Sequence, residues 1–162
     1  MFYTIKELVK KSADYDSVAE LMIQTEMENT DRSREFIRSQ MERNLEVMEN
    51  SIKEGIAGVK SVTGLTGGDA KKMNAYIEKG DFLSGEPILE AVRNAVAVNE
   101  VNAKMGLICA TPTAGSAGVL AGVLVATRDR LKLTRDEQVD FLFTAGAFGL
   151  VIANNSSIAG AE

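Results

Sequence analysis

Ile37, Met41, Leu45, Met48, Ile52 and Ile56 follow one another at spacings of four, four, three, four and four. That rhythm places all of them on one side of an α-helix and holds over five turns. The opposite side carries Arg34, Glu35, Arg38, Glu42, Arg43, Glu46 and Glu49, so the helix has one wet face and one dry one. The spacing predicts a helix from Asp31 to about Ala57, with Asp31 or Thr30 as its cap and Gly58 or a neighbour as its end. An apolar stripe this long must be covered. The methionines in it serve either as core filling or as a seam for a partner helix.

The rest of the chain is organised around shorter helical patterns. Helices are expected over Thr4 to Lys11, about Asp16 to Glu28, and Ala70 to Lys79. Ser84 is expected to cap an unusually apolar helix reaching about Lys104, with Pro87 tolerated in its first turn. Another helix should start near Gly115 and reach about Asp129. Thr134 followed by Glu137 has the spacing of a capping box, and the last helix should run from there to about Ala153. Leu107 to Ala110 is the one segment left open to a short strand. The predicted fold class is all-α: several helices in one domain over residues 1–162, with glycine-rich loops at helix N-termini.

Composition removes whole classes of chemistry. The chain has no histidine and one cysteine, Cys109. A Ser-His-Asp triad, a Cys-His pair and a zincin site are therefore excluded within it, as is an intrachain disulfide. No metal site is expected within the chain. The net charge of -5, with basic residues dispersed, disfavours nucleic acid as a partner. The start of the chain, already charged at Lys6 and Glu7, lacks the apolar core of a signal peptide, and a cytoplasmic location is expected. No charge occurs between Lys104 and Arg128 or between Asp140 and Glu162. Thr111-Pro112-Thr113 interrupts the first of these stretches and Asn154-Asn155-Ser156-Ser157 ends the second, so buried helices explain them better than membrane spans. Leu142, Phe143, Phe148, Leu150, Val151 and Ile152 ring their helix rather than lining one side, which points to self-association.

Four polar clusters could carry function. Ser61 to Asp69 concentrates three glycines before a helix, where successive N–H groups and the helix dipole can hold an anion. Its candidate substrate-binding residues are Thr63, Gly64, Thr66, Gly67 and Gly68, with Asp69 as the helix cap. It is neither a Walker loop nor a dinucleotide loop, and a purely structural turn remains the competing reading. Cys109 to Gly118 also leads into a helix, and Thr111, Thr113, Gly115 and Ser116 are its candidates, against simple close packing. Asn154-Asn155-Ser156-Ser157 forms the third cluster, which either caps the C-terminus of its apolar helix or receives a polar substrate, with Asn154 and Asn155 as its candidates. Asn99, Glu100 and Asn102 form the fourth, in an apolar helix where polar groups must find partners in loops or in a ligand. Asn102 is the substrate-binding candidate among them. Cys109 reads as a small buried hydrophobe, and no catalytic base is identified.

Taken in series, Ser61-Val-Thr-Gly-Leu-Thr-Gly-Gly-Asp-Ala70, Asn99-Glu-Val-Asn102, Ile108-Cys-Ala-Thr-Pro-Thr-Ala-Gly-Ser-Ala-Gly118 and Phe143-Thr-Ala-Gly-Ala-Phe-Gly149 running on to Asn155 are similar to the alpha subunit of iron–sulfur-dependent L-serine dehydratases. The similarity covers essentially the whole chain. It implies an all-helical catalytic domain that converts L-serine to pyruvate and ammonia, with a [4Fe-4S] cluster as Lewis acid. It also implies a beta subunit that supplies further residues, a histidine among them. In the family the cluster cysteines begin in a Gly-Gly-Cys-Gln-Ala-Glu-like segment, soon after the position matching Ala161, and Cys109 matches none of them. The resemblance thus implies the leading part of the catalytic domain. Its missing C-terminal part joins the beta subunit and L-serine as expected partners, and no cluster is expected on this stretch alone. Two other classes compete: a helical interaction or scaffold domain, and a pyridoxal-phosphate dehydratase, for which the glycine-rich loops lack a Schiff-base lysine.

Overall fold

The computed structural model describes residues 2–156, and Ser157 and the terminal Ala159-Gly160-Ala161-Glu162 lie outside them. Among the described residues the protein is all-α, with seven helices and no strand. They are α1 (Ile5–Ser12), α2 (Val18–Thr30), α3 (Arg34–Ala57), α4 (Asp69–Glu78), α5 (Glu86–Ala103), α6 (Ala117–Leu131) and α7 (Arg135–Asn155). No described helix is long and apolar enough to cross a membrane. The chain divides into two compact units, one of residues 1–45 and 134–162 and the other of residues 46–133.

The first unit holds α1, α2, the leading half of α3, and α7, with α2 packed on α7 and α1 touching both. Its helices start where short polar side chains can satisfy free N–H groups. Thr4 accepts from the Glu7 N–H and Ser17 from the Glu20 N–H. Thr134 and Glu137 form the expected capping box of α7. The core comprises Phe2, Leu8, Leu21, Ile23, Leu142 and Phe143 with smaller residues between them. Charge pairs join the helices at the rim: Arg34 grips Glu20 with both terminal nitrogens, and Arg38 reaches Asp136 and Asp140 on α7.

The cap expected for α3 is corrected. Thr30 is the last residue of α2, and Asp31 closes that helix in the left-handed conformation, at φ 52°. Ser33 takes over the start of α3, its hydroxyl accepting from the Phe36 N–H at 3.3 Å. An aspartate tolerates left-handed backbone better than most residues, and that makes it a helix stop here rather than a start.

The second unit is built around α5, which packs against α4 and α6. Met48 and Ile52 of α3, Val98 and Val101 of α5 and Leu124 of α6 are buried in it. The stripe seen in the sequence turns inward in each unit: Ile37 and Leu45 are buried in the first and Met48 and Ile52 in the second, with Met41 and Ile56 half-buried. Gly58, at φ 104°, ends α3 as expected. Small residues set the spacing of the helices. A Cβ built on Gly55 would lie 2.4 Å from the Ala97 carbonyl oxygen, and one on Gly122 would lie 2.6 Å from that of Ala91. Ion pairs between Lys104 and Glu54 and between Arg128 and Glu49 fasten α3 to its neighbours. Ser84 does not cap α5: Gly85 holds the cap position with no side-chain bond, and Pro87 sits in the first turn as foreseen. Leu107 to Ala110 forms no strand.

Candidate functional site

The first glycine-rich segment folds into a turn closed on itself. The Ser61 N–H donates to the Thr66 carbonyl at 2.8 Å, and the Thr66 N–H returns to the Ser61 hydroxyl at 3.2 Å. The Ser61 and Thr63 hydroxyls lie 3.2 Å apart. Gly64, Gly67 and Gly68 all have positive φ. At Gly67 the need for glycine is doubled, because a Cβ there would fall 2.3 Å from the Val59 carbonyl oxygen. Thr63, Gly64 and Thr66 are exposed, whereas Gly67 and Gly68 are half-buried.

The start of α4 departs from the expected arrangement. Gly68 takes the cap position, with no side-chain bond, and Asp69 is the first helical residue rather than the cap. The Asp69 N–H donates to Oε1 of Glu100, on α5, at 2.6 Å. Asp69 itself pairs with Lys72 at 2.8 Å. The leading N–H of α4 is thus already held by a carboxylate of the protein, and a second carboxylate sits on the same turn. A bound anion would meet both.

The second segment is a knot of hydroxyls. The Ser116 hydroxyl donates to the Thr111 carbonyl at 2.9 Å and lies 2.9 Å from the Thr113 hydroxyl. The Thr113 N–H donates to the Ser116 hydroxyl, and the Ser116 N–H to the Thr113 hydroxyl, each at 3.3 Å. The Thr111 hydroxyl closes the ring on the Ser116 carbonyl. Gly115 is exposed, with nothing closer to a built Cβ than the Thr113 hydroxyl at 4.0 Å. Like α4, α6 starts with no side-chain cap bond, but it has no acidic residue in its first turn.

Helix α5 is the common neighbour of α4 and α6, the helices that follow these two segments. Gly118 meets Ala95 and Gly122 meets Ala91, so α6 runs antiparallel to α5 and begins beside its C-terminal half. Glu100, in that same half, holds the start of α4. Asn102, two residues further along the chain, is half-buried, and its carbonyl accepts from the Met105 N–H at 2.9 Å. Asn99 is exposed rather than buried. Asn154 and Asn155 belong to the other unit. The Asn155 amide is engaged there, donating to the Tyr3 carbonyl at 2.7 Å and the Val151 carbonyl at 2.8 Å.

The hold of Glu100 on the start of α4 meets the expectation that this polar set finds a partner outside its helix, although sequence reasoning did not name Asp69 as that partner. That reasoning passed over Asn94, fully buried, whose side-chain oxygen accepts from Arg93 while Arg93 reaches on to Asn74. Arg93 and Asn94 line a charged cavity of about 870 Å³ with Glu49, Lys53 and Arg128. A second cavity, of about 650 Å³, is lined by Met22, Phe36, Ile37, Met41 and Phe143. None of the candidate residues lines either cavity. Cys109 is half-buried, and burial pushes its thiol up. Among the described residues no group of three or more His, Cys, Asp or Glu side chains could hold a metal ion.

The serine dehydratase alpha chain family model matches residues 15–162. This chain belongs to that family. It is 55% identical over 162 residues to the "Probable L-serine dehydratase, alpha chain" of Bacillus subtilis, covering 99% of this chain and 54% of that one. It is 31% identical over 150 residues to the "L-serine dehydratase, alpha chain" of Peptoniphilus asaccharolyticus, covering 90% of this chain and 50% of the relative. "L-serine dehydratase TdcG" of Escherichia coli is 29% identical over 174 residues, covering 99% of this chain and 37% of that protein. The chain spans about half the length of the two curated alpha chains. No solved structure matches it.

Proposed function

We propose that this chain supplies the substrate-holding loops of an L-serine dehydratase, which deaminates L-serine to pyruvate and ammonia in the cytoplasm. The observation that carries the reading is the 55% identity to a named alpha chain over 162 residues, glycine-rich segments included. The reaction removes the α-proton and the β-hydroxyl of serine as water. The resulting enamine tautomerises to an imine, which water hydrolyses to pyruvate and ammonia.

The loops have the chemistry for the ground-state part of this task. The start of α6, free of acidic side chains, suits the substrate carboxylate, with the Thr113 and Ser116 hydroxyls beside it. Thr63 and Thr66 present exposed hydroxyls, and Thr111, Gly115 and Asn102 complete the surface near the C-terminal half of α5. Gly64, Gly67 and Gly68 let the first turn fold tightly enough to present them. Asn154 and Asn155 are substrate-binding candidates of the other unit.

The complete enzyme is proposed to carry a [4Fe-4S] cluster, with a beta subunit and the C-terminal part of the alpha chain as partners. The residues described here do not fit such a cluster, having one half-buried cysteine and no cluster of metal-ligating side chains. Phe148 and Ile152, exposed on α7, are proposed as part of the surface that meets a partner or a second copy.

The test is serine-dependent pyruvate formation by the full-length alpha chain with its beta subunit, under anaerobic conditions. Alanine at Thr63, Thr66, Thr113 or Ser116 should depress turnover. Unchanged turnover in all four would favour a helical scaffold without chemistry. An internal-aldimine absorbance on adding pyridoxal phosphate would favour the pyridoxal-phosphate alternative.

A further inference from the structure

Five glycines lie inside the described helices, and three of them have a packing reason within the chain. A Cβ built on Gly55 or Gly118 would fall 2.4 Å from a carbonyl oxygen of α5, and one on Gly122 would fall 2.6 Å from another. Glycine is what lets α3 and α6 lie that close to α5. The other two, Gly146 and Gly149, are on α7, and nothing comes within 4 Å of a Cβ built on either. Three residues apart, they are neighbours on the helix surface. Glycine weakens a helix relative to alanine, so this bare pair costs stability and nothing in the described residues returns it.

Gly146 also lines the apolar cavity of about 650 Å³, whose walls include Met22, Phe36, Ile37, Met41 and Phe143. The charged residues at it, Glu26 and Arg32, are one of each sign, and the Arg32 guanidinium lies over the Phe36 ring, 5.2 Å from its centroid. Such walls suit an apolar group and not an ion or a small zwitterion. Helix α7 carries no charge from Phe141 to Asn155, and its Phe148 and Ile152 are exposed, so whatever covers it is apolar beyond the cavity too.

A second copy presenting the same face of α7 has no knob for the cavity. Phe148, two residues from Gly146, stands on another side of the helix. The rest of the alpha chain is the better occupant. The matched residues make up 54% of the Bacillus subtilis alpha chain, so nearly half of such a chain lies outside the match and has apolar faces of its own to bury.

We propose that a helix from the remaining part of the alpha chain crosses α7 at Gly146 and Gly149 and seats a large apolar side chain in the cavity beside Met41. This rests on the C-terminal part proposed above as a partner, and it names the face which that part covers. The close approach repeats on α7 what Gly118 and Gly122 do between α6 and α5.

The test is peroxide oxidation of the full-length alpha chain, with and without its beta subunit, read by peptide mass at Met41 and Met48. Methionine oxidation follows exposure. Met48 is 3% exposed and serves as the internal reference, whereas Met41 is half-buried. In the full-length chain without beta subunit, Met41 should be oxidised as slowly as Met48, within about twofold. In the 162-residue chain, Met41 should react at least roughly fivefold faster than Met48 at every protein concentration. A fast Met41 in the full-length chain overturns the proposal, as does protection that appears only with beta subunit. Protection that grows with the concentration of the 162-residue chain puts a second copy in the cavity and overturns it as well.

Gly146→Leu ties the readout to the glycine. In the 162-residue chain, where the new Cβ meets nothing, the thermal midpoint should hold or rise by up to about 4 °C. In the full-length chain it should fall by at least about 2 °C, with Met41 oxidised faster than in wild type. A midpoint that holds or rises in the full-length chain overturns the proposal. If either variant or the 162-residue chain fails to fold, the wild-type ratio of Met41 to Met48 in the full-length chain decides. Met41 protection without serine-dependent pyruvate from the assembled enzyme would sink the serine dehydratase function and leave the docking face standing. Turnover with Met41 unprotected would do the reverse.

Discussion

Gly118 of α6 lies so close to Ala95 of α5 that a Cβ built on the glycine would sit 2.4 Å from the Ala95 carbonyl oxygen. Backbone cannot yield there as a flexible side chain would. Glycine to alanine in a helix interior ordinarily stabilises by roughly 0.5–1 kcal/mol. At Gly118 the clash reverses the sign, and Gly118→Ala should destabilise by about 1–3 kcal/mol. Gly149 of α7 is the control, because nothing lies within 4 Å of its built Cβ. Gly149→Ala should raise stability by roughly 0.5–1 kcal/mol. Urea unfolding of the two variants checks both signs, and a stabilised Gly118→Ala would refute the tight α5–α6 contact.

The Glu20–Arg34 fork makes part of the stability depend on pH. The hydrogen bond from Arg34 holds the Glu20 carboxyl below its ordinary range. A carboxyl depressed in the folded state contributes stability above its unfolded pKa and loses it as pH falls through the folded one. Both partners are partly exposed, so the contribution is no more than about 1 kcal/mol. Glu20→Gln should therefore be less stable than wild type at about pH 7, with the difference closing by about pH 2.5. Paired urea midpoints at the two values are the measurement.

Cys109 should prove a packing residue. Burial disfavours its thiolate, the form that attacks alkylating agents. Iodoacetamide at about pH 7.5 should label it several-fold more slowly in folded than in urea-unfolded protein. Cys109→Ala should leave the iron content and serine turnover of the assembled enzyme unchanged. Loss of iron in that variant would make the cysteine a ligand and contradict its structural role.

The two polar turns should respond differently to losing one hydroxyl. Ser116 is the hub of its turn, bonded to the Thr111 carbonyl, the Thr113 N–H and the Thr113 hydroxyl. Ser116→Ala should cost about 1 kcal/mol of stability and raise KM for L-serine. The Thr63 hydroxyl is exposed, so Thr63→Ala should shift stability by less than about 0.5 kcal/mol. Its effect should appear in turnover alone. Thermal melts beside steady-state kinetics separate the two cases, and equal destabilisation by both variants would contradict the difference between the turns.

The helices were legible from the chain because their signals are local. Apolar spacing at Ile37 to Ile56, the Thr134–Glu137 capping box, Pro87 in a first turn and Gly58 as a stop each act within a few residues, and each appears in the fold where expected. Errors fell where two local signals competed. Asp31 could start α3 or end α2, and its left-handed backbone ended α2 while Ser33 started α3. The glycine-rich turns were likewise visible as turns, because positive φ is a property of one residue and its neighbours. What those turns face could not be read the same way. The hold of Glu100 on Asp69 spans 31 residues, and Gly118 meets Ala95 only because α6 folds back antiparallel to α5. Long-range packing thus filled the start of α4 with the protein's own carboxylate, left the start of α6 without one, and spent the Asn155 amide on Tyr3. Residue types announce which groups can bond, whereas chain reversal in three dimensions settles which of them meet.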